Sequence, residues 1–527
     1  MLTQTPVMKE CDVAVIGGSL GGVAAALAAL RAGARVILSE EYAWIGGQVT
    51  SQAVSALDEY RGVERFPGTQ AYAAFREAIR QVYRQRFDLG PQKTGEAPLN
   101  PGNGWVSRLC FEPRVALQVL NDLLAPYLRA GQLQLYTRHR PVACQGRPDH
   151  IESVDIAGPG GRRITIRARY FLDATDLGDL LPLAGVPYVS GAEAQEDTGE
   201  PHASPDGPHP ERVQSFTIGF LCQFCPGENH LIRKPRGYER FYHKQPYSLT
   251  LTNHLGREVS YNFFIPTPSR PLAFWSYRRV FDDQLLRGAE PPRDIALINW
   301  PSNDYRWGNL IDQPAKVKAA VLAEARRLSM GFFYWLQTSA ARDDMMALGY
   351  PELKLLPEAM GTRSGLAQAP YVRESRRILS LRRICEQDIT MACNPGRTQA
   401  AFPDSVGIGW YAMDLHACVG DERTMFADTL PFQIPLGALI PLACDNLIAA
   451  CKNIGTTHLT NGAYRLQPVE WSIGEAAGAL AAHCSQNALK PHQVWQSAAE
   501  LAHFQTLLRQ QGVNLAWPDE FFTSNEE

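Results

Sequence analysis

The chain has 527 residues, 45% hydrophobic and 20% charged, which suits a globular protein with two large domains or three to four smaller ones. Its 51 basic and 54 acidic residues give a formal net charge of −3, which argues against bulk binding to nucleic acid and leaves no polybasic membrane patch. The 11 cysteines are odd in number, so they cannot all pair within one chain; free thiols in a reducing, cytoplasmic setting are the simpler expectation.

Asp12 to Ile16 is a short apolar, β-branched run and predicts a buried strand. Gly17-Gly18-Ser19-Leu20-Gly21-Gly22 follows as a turn, and Val23 to Ala32 has helical composition, with Gly33 placed to end it. Arg35 to Ser39 predicts a second strand, with Glu40 just beyond its end. This is a strand–helix–strand dinucleotide fingerprint with one departure: Ser19 stands where glycine is usual. Gly17 permits the tight turn, Gly22 lets helix and strand approach, and Glu40 is placed to accept from a ribose hydroxyl. The Ser19 hydroxyl and the Gly21 region at the helix start are candidate phosphate contacts. Val13 to Leu30 is uncharged, but four glycines cut it, so no membrane span is expected. Acidic Glu10 and Asp12 precede it, so it does not read as a signal peptide.

A second glycine pair, Gly46-Gly47, follows in Trp44 to Ser51. With the fingerprint, this arrangement resembles the FAD-dependent oxidoreductases that have a glutathione-reductase-type FAD domain. In that family the second pair runs beside the ribityl chain and flavin, which implies contacts at Gly46, Gly47 and Gln48. Arg140 to Cys144 is similar to the strand whose backbone meets adenine, at Val142. Tyr170 to Asp176 is similar to the strand that returns near the pyrophosphate at Thr175, with Asp176 replacing a glycine. Arg373-Glu374-Ser375-Arg376-Arg377 resembles a stretch of the relatives of succinate dehydrogenase and fumarate reductase flavoproteins. Asp445 to Ala450 looks like the strand entering the flavin site. Asn453 to Arg465 follows it. Pro468 to His483 then reads as a helix, with Gly474, Ala476, Ala477 and Gly478 suited to close packing. In the family this helix points its N-terminus at the flavin, which implies cofactor contacts at Arg465 and Gly474. Covalent members carry a histidine near the second pair. Residues 44–55 contain none, so FAD is expected to be held noncovalently.

The resemblance implies an α/β fold: a Rossmann-like FAD-binding domain with a parallel central sheet, plus an inserted α+β substrate or cap domain. The FAD domain is assigned to 1–190 and 435–500, the cap to 191–434, and a C-terminal helix and tail to 501–527. Within the cap, Glu193 to Pro210 reads as a polar loop. Gln214 to Phe220 and Glu258 to Phe264 read as antiparallel strands, and Ala315 to Trp335 as a helix. Glu500 to Arg509 reads as a helix and Thr523 to Glu527 as an acidic tail. Cys222 and Cys225 form an isolated C-x-x-C, expected to be a plain thiol pair and not a metal site.

No second glycine fingerprint is present, so a full NAD(P)H domain is not expected. The partners expected are a small polar organic substrate and an unidentified electron acceptor or donor. His458 is a candidate base or acid, set against a structural histidine. Arg465 is a candidate for holding a substrate carboxylate or the flavin, and Arg373 a candidate substrate contact, with Arg373 and Arg377 placed on one helical face. Glu470 reads as a helix-start carboxylate. The function expected is hydride transfer between substrate and FAD. A flavin monooxygenase and a non-catalytic FAD-fold binding protein are the alternatives.

Overall fold

The computed structural model describes residues 7–89, 98–252, 257–288 and 293–523. The N-terminal fingerprint forms strand β1 (Val7–Ile16), helix α1 (Leu20–Arg31) and strand β2 (Val36–Glu40). The helix starts three residues before its apolar run because Ser19 caps it: its side chain accepts from the Gly22 N–H. Gly33, at φ +89°, supplies the left-handed residue that ends it.

These strands belong to a seven-stranded sheet, taken across in the order Leu133–Thr137, β2, β1, Arg163–Asp173, His150–Ala157, Arg140–Arg147. The return strand Arg163–Asp173 runs parallel to β1, from Val7 opposite Ile164 to Ile16 opposite Asp173. Its other edge is divided. Ile164 and Ile166 pair antiparallel with His150–Ala157, while Phe171 to Asp173 pair parallel with Leu447–Ala449, a strand from the far end of the chain. The parallel strands are mostly apolar in their buried parts, as expected when both faces are covered, with Ser39, Glu40 and Asp173 buried at their carboxyl ends.

Helix Gln467–Asn487 covers one face by packing on α1. The spacing of small residues explains the fit. A Cβ at Gly474 would lie 2.0 Å from the Gly21 carbonyl oxygen, and one at Gly478 would lie 2.0 Å from that of Ala25. Four residues separate each member of the two pairs, one turn on each helix, so the backbones meet twice along the contact.

The middle of the chain builds a four-stranded antiparallel sheet from Arg279–Phe281, Ile295–Ile298, Phe220–Phe224 and Leu353–Leu355. The strand expected at Gln214 to Phe220 is split: Phe216–Thr217 pairs with Asp304–Tyr305, and the sheet strand starts at Phe220. Glu258–Ser260 pairs with Thr250–Thr252, shorter than the run expected. Helix Ala315–Thr338 extends the predicted one. Residues 193–210 carry a single helical turn, Gln195–Thr198. Cys222 and Cys225 are buried free thiols.

The segment Arg373 to Arg377 departs from the helical reading. It is extended, and only Arg377–Ile378 is paired, with Tyr188–Val189. Its buried charged side chains have partners on different sides of the chain, which a single helical face could not reach. Ala498–Gln510 forms the helix expected at Glu500 to Arg509. The acidic tail beyond Thr523 lies outside the described residues. No helix among the described residues is long and apolar enough to cross a membrane.

Candidate active site

The carboxyl ends of the parallel strands converge on the fingerprint turn. Gly17 adopts φ +104°, and a Cβ there would lie 2.3 Å from the Ala174 carbonyl group, so the turn presses against the end of the return strand. A Cβ at Gly22 would lie 2.1 Å from the Gly17 carbonyl oxygen. Glu40 ends β2, and its carboxylate accepts from the Gly18 N–H at 2.9 Å and the Tyr42 N–H at 2.7 Å. Burial pushes the Glu40 carboxyl up to about 8, against the pull of those two amides. Gly46 donates to the Gly18 carbonyl at 2.7 Å, and Gly47 lies against Ser19, so the second glycine pair folds back over the fingerprint.

A cleft opens beside this turn, bounded by Gly17, Glu40, Tyr42, His139, Pro141 and Thr175. Val142 itself lies in a register shift between Pro141 and Ala143, and its neighbour Pro141 reaches the cleft wall. Thr175 is fixed by Asp173, which accepts from its N–H at 3.0 Å and its hydroxyl at 2.7 Å.

Below the turn lies a buried charged group that the fingerprint alone does not announce. Glu470 Oε1 accepts from the Gly21 N–H at 3.0 Å, so a carboxylate from one helix sits at the N-terminus of another. Its other oxygen takes a hydrogen bond from the Gln48 side chain. Gln48 also donates to the Arg465 carbonyl at 3.0 Å. Lys452 Nζ stands 2.7 Å from Asp176 and 3.6 Å from Glu470. Burial opposes its charge, but Asp176, Cys451 and Glu470 outweigh it and hold the ammonium well above the usual range. Gly474, one turn further along the helix, meets the Gly21 backbone and serves the helix contact.

Arg465 leads from this group to a second cluster. Its guanidinium donates to the Tyr371 hydroxyl at 3.0 Å and to Asp414 at 3.3 Å. The Arg373 guanidinium lies 4.9 Å from the Tyr371 ring centre and donates to Asp304 at 3.0 Å and Thr217 at 3.0 Å. His416 stands between the two carboxylates, with Nδ1 2.7 Å from Asp304 and Nε2 3.6 Å from Asp414. Burial raises the Asp414 carboxyl, but His416 and Arg465 bring it down to about 2. Arg278 pairs with Asp58 at 2.9 Å in a buried contact nearby. The Nε atoms of Arg278, Arg373 and Arg465 are all buried without a hydrogen-bond partner. Asp304, Asp414 and His416 form part of the wall of a cleft of about 340 Å³.

The structure thus brings Arg373 and Arg465 together around Tyr371 and places His458 elsewhere. Along the extended segment, Arg373 points to the Asp304 cluster while the next residue, Glu374, points to His458. His416, Asp414 and Tyr371 were missed from sequence. A signal exists in the spacing. Asp414 and His416 are two apart at the end of strand Met413–Leu415, and Tyr371 and Arg373 are two apart in an extended run, so each pair shares a face.

A family model described as FAD dependent oxidoreductase matches residues 12–508. No curated protein matches the sequence. Among solved structures, p-nitrophenol 4-monooxygenase from Pseudomonas putida is 11% identical, covering 98% of this chain and 92% of its own, at a TM-score of 0.36. A variant of the quinol fumarate reductase subunit FrdA of E. coli is 10% identical, covering 96% and 74%, at 0.33. The myxobacterial chondrochloren halogenase, a FAD-dependent enzyme, is 16% identical, covering 42% of this chain, at 0.23. The chain spans 45% of that halogenase's length.

Proposed function

Because the chain belongs to the FAD dependent oxidoreductase family, we propose that it transfers hydride between its FAD and a small polar organic molecule held at the Arg373–Arg465–His416 cluster. The chain's own residues fit FAD at several points. Glu40 offers a buried carboxylate at the end of β2, and the fingerprint glycines leave no room for side chains where the turn meets the return strand. Gln48 Oε1 and Gln52 Oε1 are buried without partners along the segment after the second glycine pair. FAD, when bound, supplies a two-electron acceptor for hydride.

The protein's part is positioning and proton handling. Arg373 and Arg465 flank the Tyr371 ring from two directions, and each keeps an unpartnered Nε–H for an oxygen of the substrate. Loss of hydride from an alcohol or amine carbon also requires loss of a proton. His416 is the residue placed to take it. Asp304 accepts from Nδ1–H and fixes the tautomer, leaving Nε2 toward Asp414 and the cleft. Asp304 stays ionised because Arg373 and His416 overcome its burial.

The observation that carries this reading is the His416 imidazole held between two carboxylates beside two arginines, joined through Arg465 to Gln48 of the cofactor loop. The test is anaerobic bleaching of the flavin absorbance with a panel of hydroxy acids, amino acids and polyols. With any substrate found, His416→Gln should slow flavin reduction by about 10²-fold and leave FAD content unchanged. Reduction at the wild-type rate in that variant would remove His416 from the proposal.

A further inference from the structure

A second cavity, of about 390 Å³, lies next to the cleft and shares His416 with it. Cys418 and His458 both line it. Cys418 Sγ is 3.8 Å from His458 Nε2, and His458 Nδ1 is 2.9 Å and 3.0 Å from the two oxygens of Glu374. Glu374 is fully buried, pairs with Arg377 and accepts from the Gln214 N–H at 3.0 Å. An ionised carboxylate only accepts, so His458 Nδ1–H donates to Glu374 and Nε2 faces the thiol. A nucleophile, a base and a carboxylate that orients the base therefore lie in line at the wall of a cavity.

The same cavity holds a second, independent feature. Glu200 is fully buried and lines it. One carboxylate oxygen accepts from the Thr457 hydroxyl at 2.6 Å and the Glu386 N–H at 2.8 Å. The other is buried with no partner. A buried acceptor without a donor points to a ligand that brings an N–H group. Among the described residues that line the cavity, Cys418 is the one cysteine.

We propose that Cys418 is a thiol-modification site, and that the cavity takes up a small disulfide carrying an ammonium group. The Cys418 proton passes to His458 Nε2, and the sulfur attacks one sulfur of the disulfide. A new S–S bond forms to Cys418 as the old one breaks. The released half departs as a thiolate and takes a proton from solvent. Cys418 is oxidised to the mixed disulfide and the departing sulfur is reduced. Burial disfavours a charged His458, but Glu374 and Cys418 more than offset it and hold the imidazole well above its usual range, so the proton shared between Cys418 and His458 rests on the imidazole. The Cys418 sulfur lies 3.4 Å from the His416 carbonyl, which places the adduct two residues from the cleft.

The test treats the full-length, FAD-loaded protein with cystamine or, separately, with the neutral 2-hydroxyethyl disulfide. Adducts are located by mass spectrometry of unreduced peptides, with the partly exposed Cys144 and Cys393 as internal references. Cystamine should modify Cys418 about 10-fold faster than the neutral reagent does, and faster than either reference thiol. Glu200→Gln should remove the preference for cystamine, and His458→Gln should slow both reagents at Cys418 alone by about 10-fold. The proposal is overturned if wild-type Cys418 reacts no faster than the references, or shows no preference for the ammonium reagent. Both of those readings come from wild-type protein and need no variant to fold.

Discussion

The Gly474 Cα faces the Gly21 carbonyl so closely that a methyl group on it would stand 2.0 Å from that oxygen. Gly21 in turn gives its N–H to Glu470, so the start of α1 is gripped by two residues one turn apart on the same partner helix. Gly474→Ala should force α1 and its partner apart. The expected cost is about 1–3 kcal/mol of stability, seen as a lower Tm, with weaker retention of FAD as the fingerprint turn shifts. An unchanged Tm would mean that the helices separate freely at this point.

Glu40 gives a prediction with a defined sign. A carboxyl lifted to about 8 in the folded chain and near its ordinary value when unfolded keeps its proton longer in the fold. The folded state then binds more protons between those values, so this residue favours folding at low pH and loses that contribution as pH rises toward 8. The Tm of apoprotein should therefore fall less steeply from pH 5 to pH 8 in Glu40→Gln than in wild type. The same variant should retain FAD less well above pH 8, by about 1–3 kcal/mol, because an amide accepts less strongly than a carboxylate. Parallel pH profiles for the two proteins would contradict the first expectation, and equal FAD affinity the second.

Lys452 is buried between Asp176 and Glu470. Lys452→Met leaves both carboxylates without their cation and should cost about 3–5 kcal/mol. Adding Asp176→Asn removes one of the stranded charges. The double variant should recover part of the loss in a denaturant titration, and strict additivity of the two changes would show that the pair is not coupled.

Arg465→Ala should lower turnover by about 10²-fold while FAD stays bound, because the side chain reaches Tyr371 and Asp414 and only its backbone carbonyl meets Gln48. Full activity in this variant would remove Arg465 from the site. Loss of flavin from the purified protein would assign it to holding FAD.

The N-terminal strand–helix–strand unit was legible because its logic is local: apolar strands, a glycine turn, a helix cap and an acid at the second strand's end all fall within forty residues. The Gln467–Asn487 helix was legible for a similar reason, since Pro468 opens it and its glycines repeat at one-turn spacing. The Arg373 to Arg377 run misled because the four-residue spacing of its outer arginines reads as one helical face. In the fold each of these buried arginines finds its own acceptors, at Asp304, at Asp179 and Asp312, and at Glu193 and Glu374. Apart from Glu374, those partners come from distant segments, so no window of sequence contains them. His416 was missed for the same reason, since Asp304 lies 112 residues away. The family resemblance carried the cofactor, and the match over residues 12–508 agrees with it. It drew attention to His458, which the structure pairs with Glu374 and Cys418 instead of with the arginines.

The divided edge of the return strand also sets an order of assembly. His150–Ala157 can pair with Ile164 and Ile166 as soon as both have left the ribosome, but Phe171 to Asp173 wait for Leu447–Ala449. The helix that carries Glu470 and Gly474 comes later still. Synthesis at about 5–20 residues per second leaves this edge of the sheet open for tens of seconds. A nascent chain therefore displays an incomplete nucleotide cradle through most of its translation. Loading of FAD becomes a late event, coupled to the emergence of the last hundred residues, and a chain truncated before them should be a substrate for chaperones and not for the cofactor.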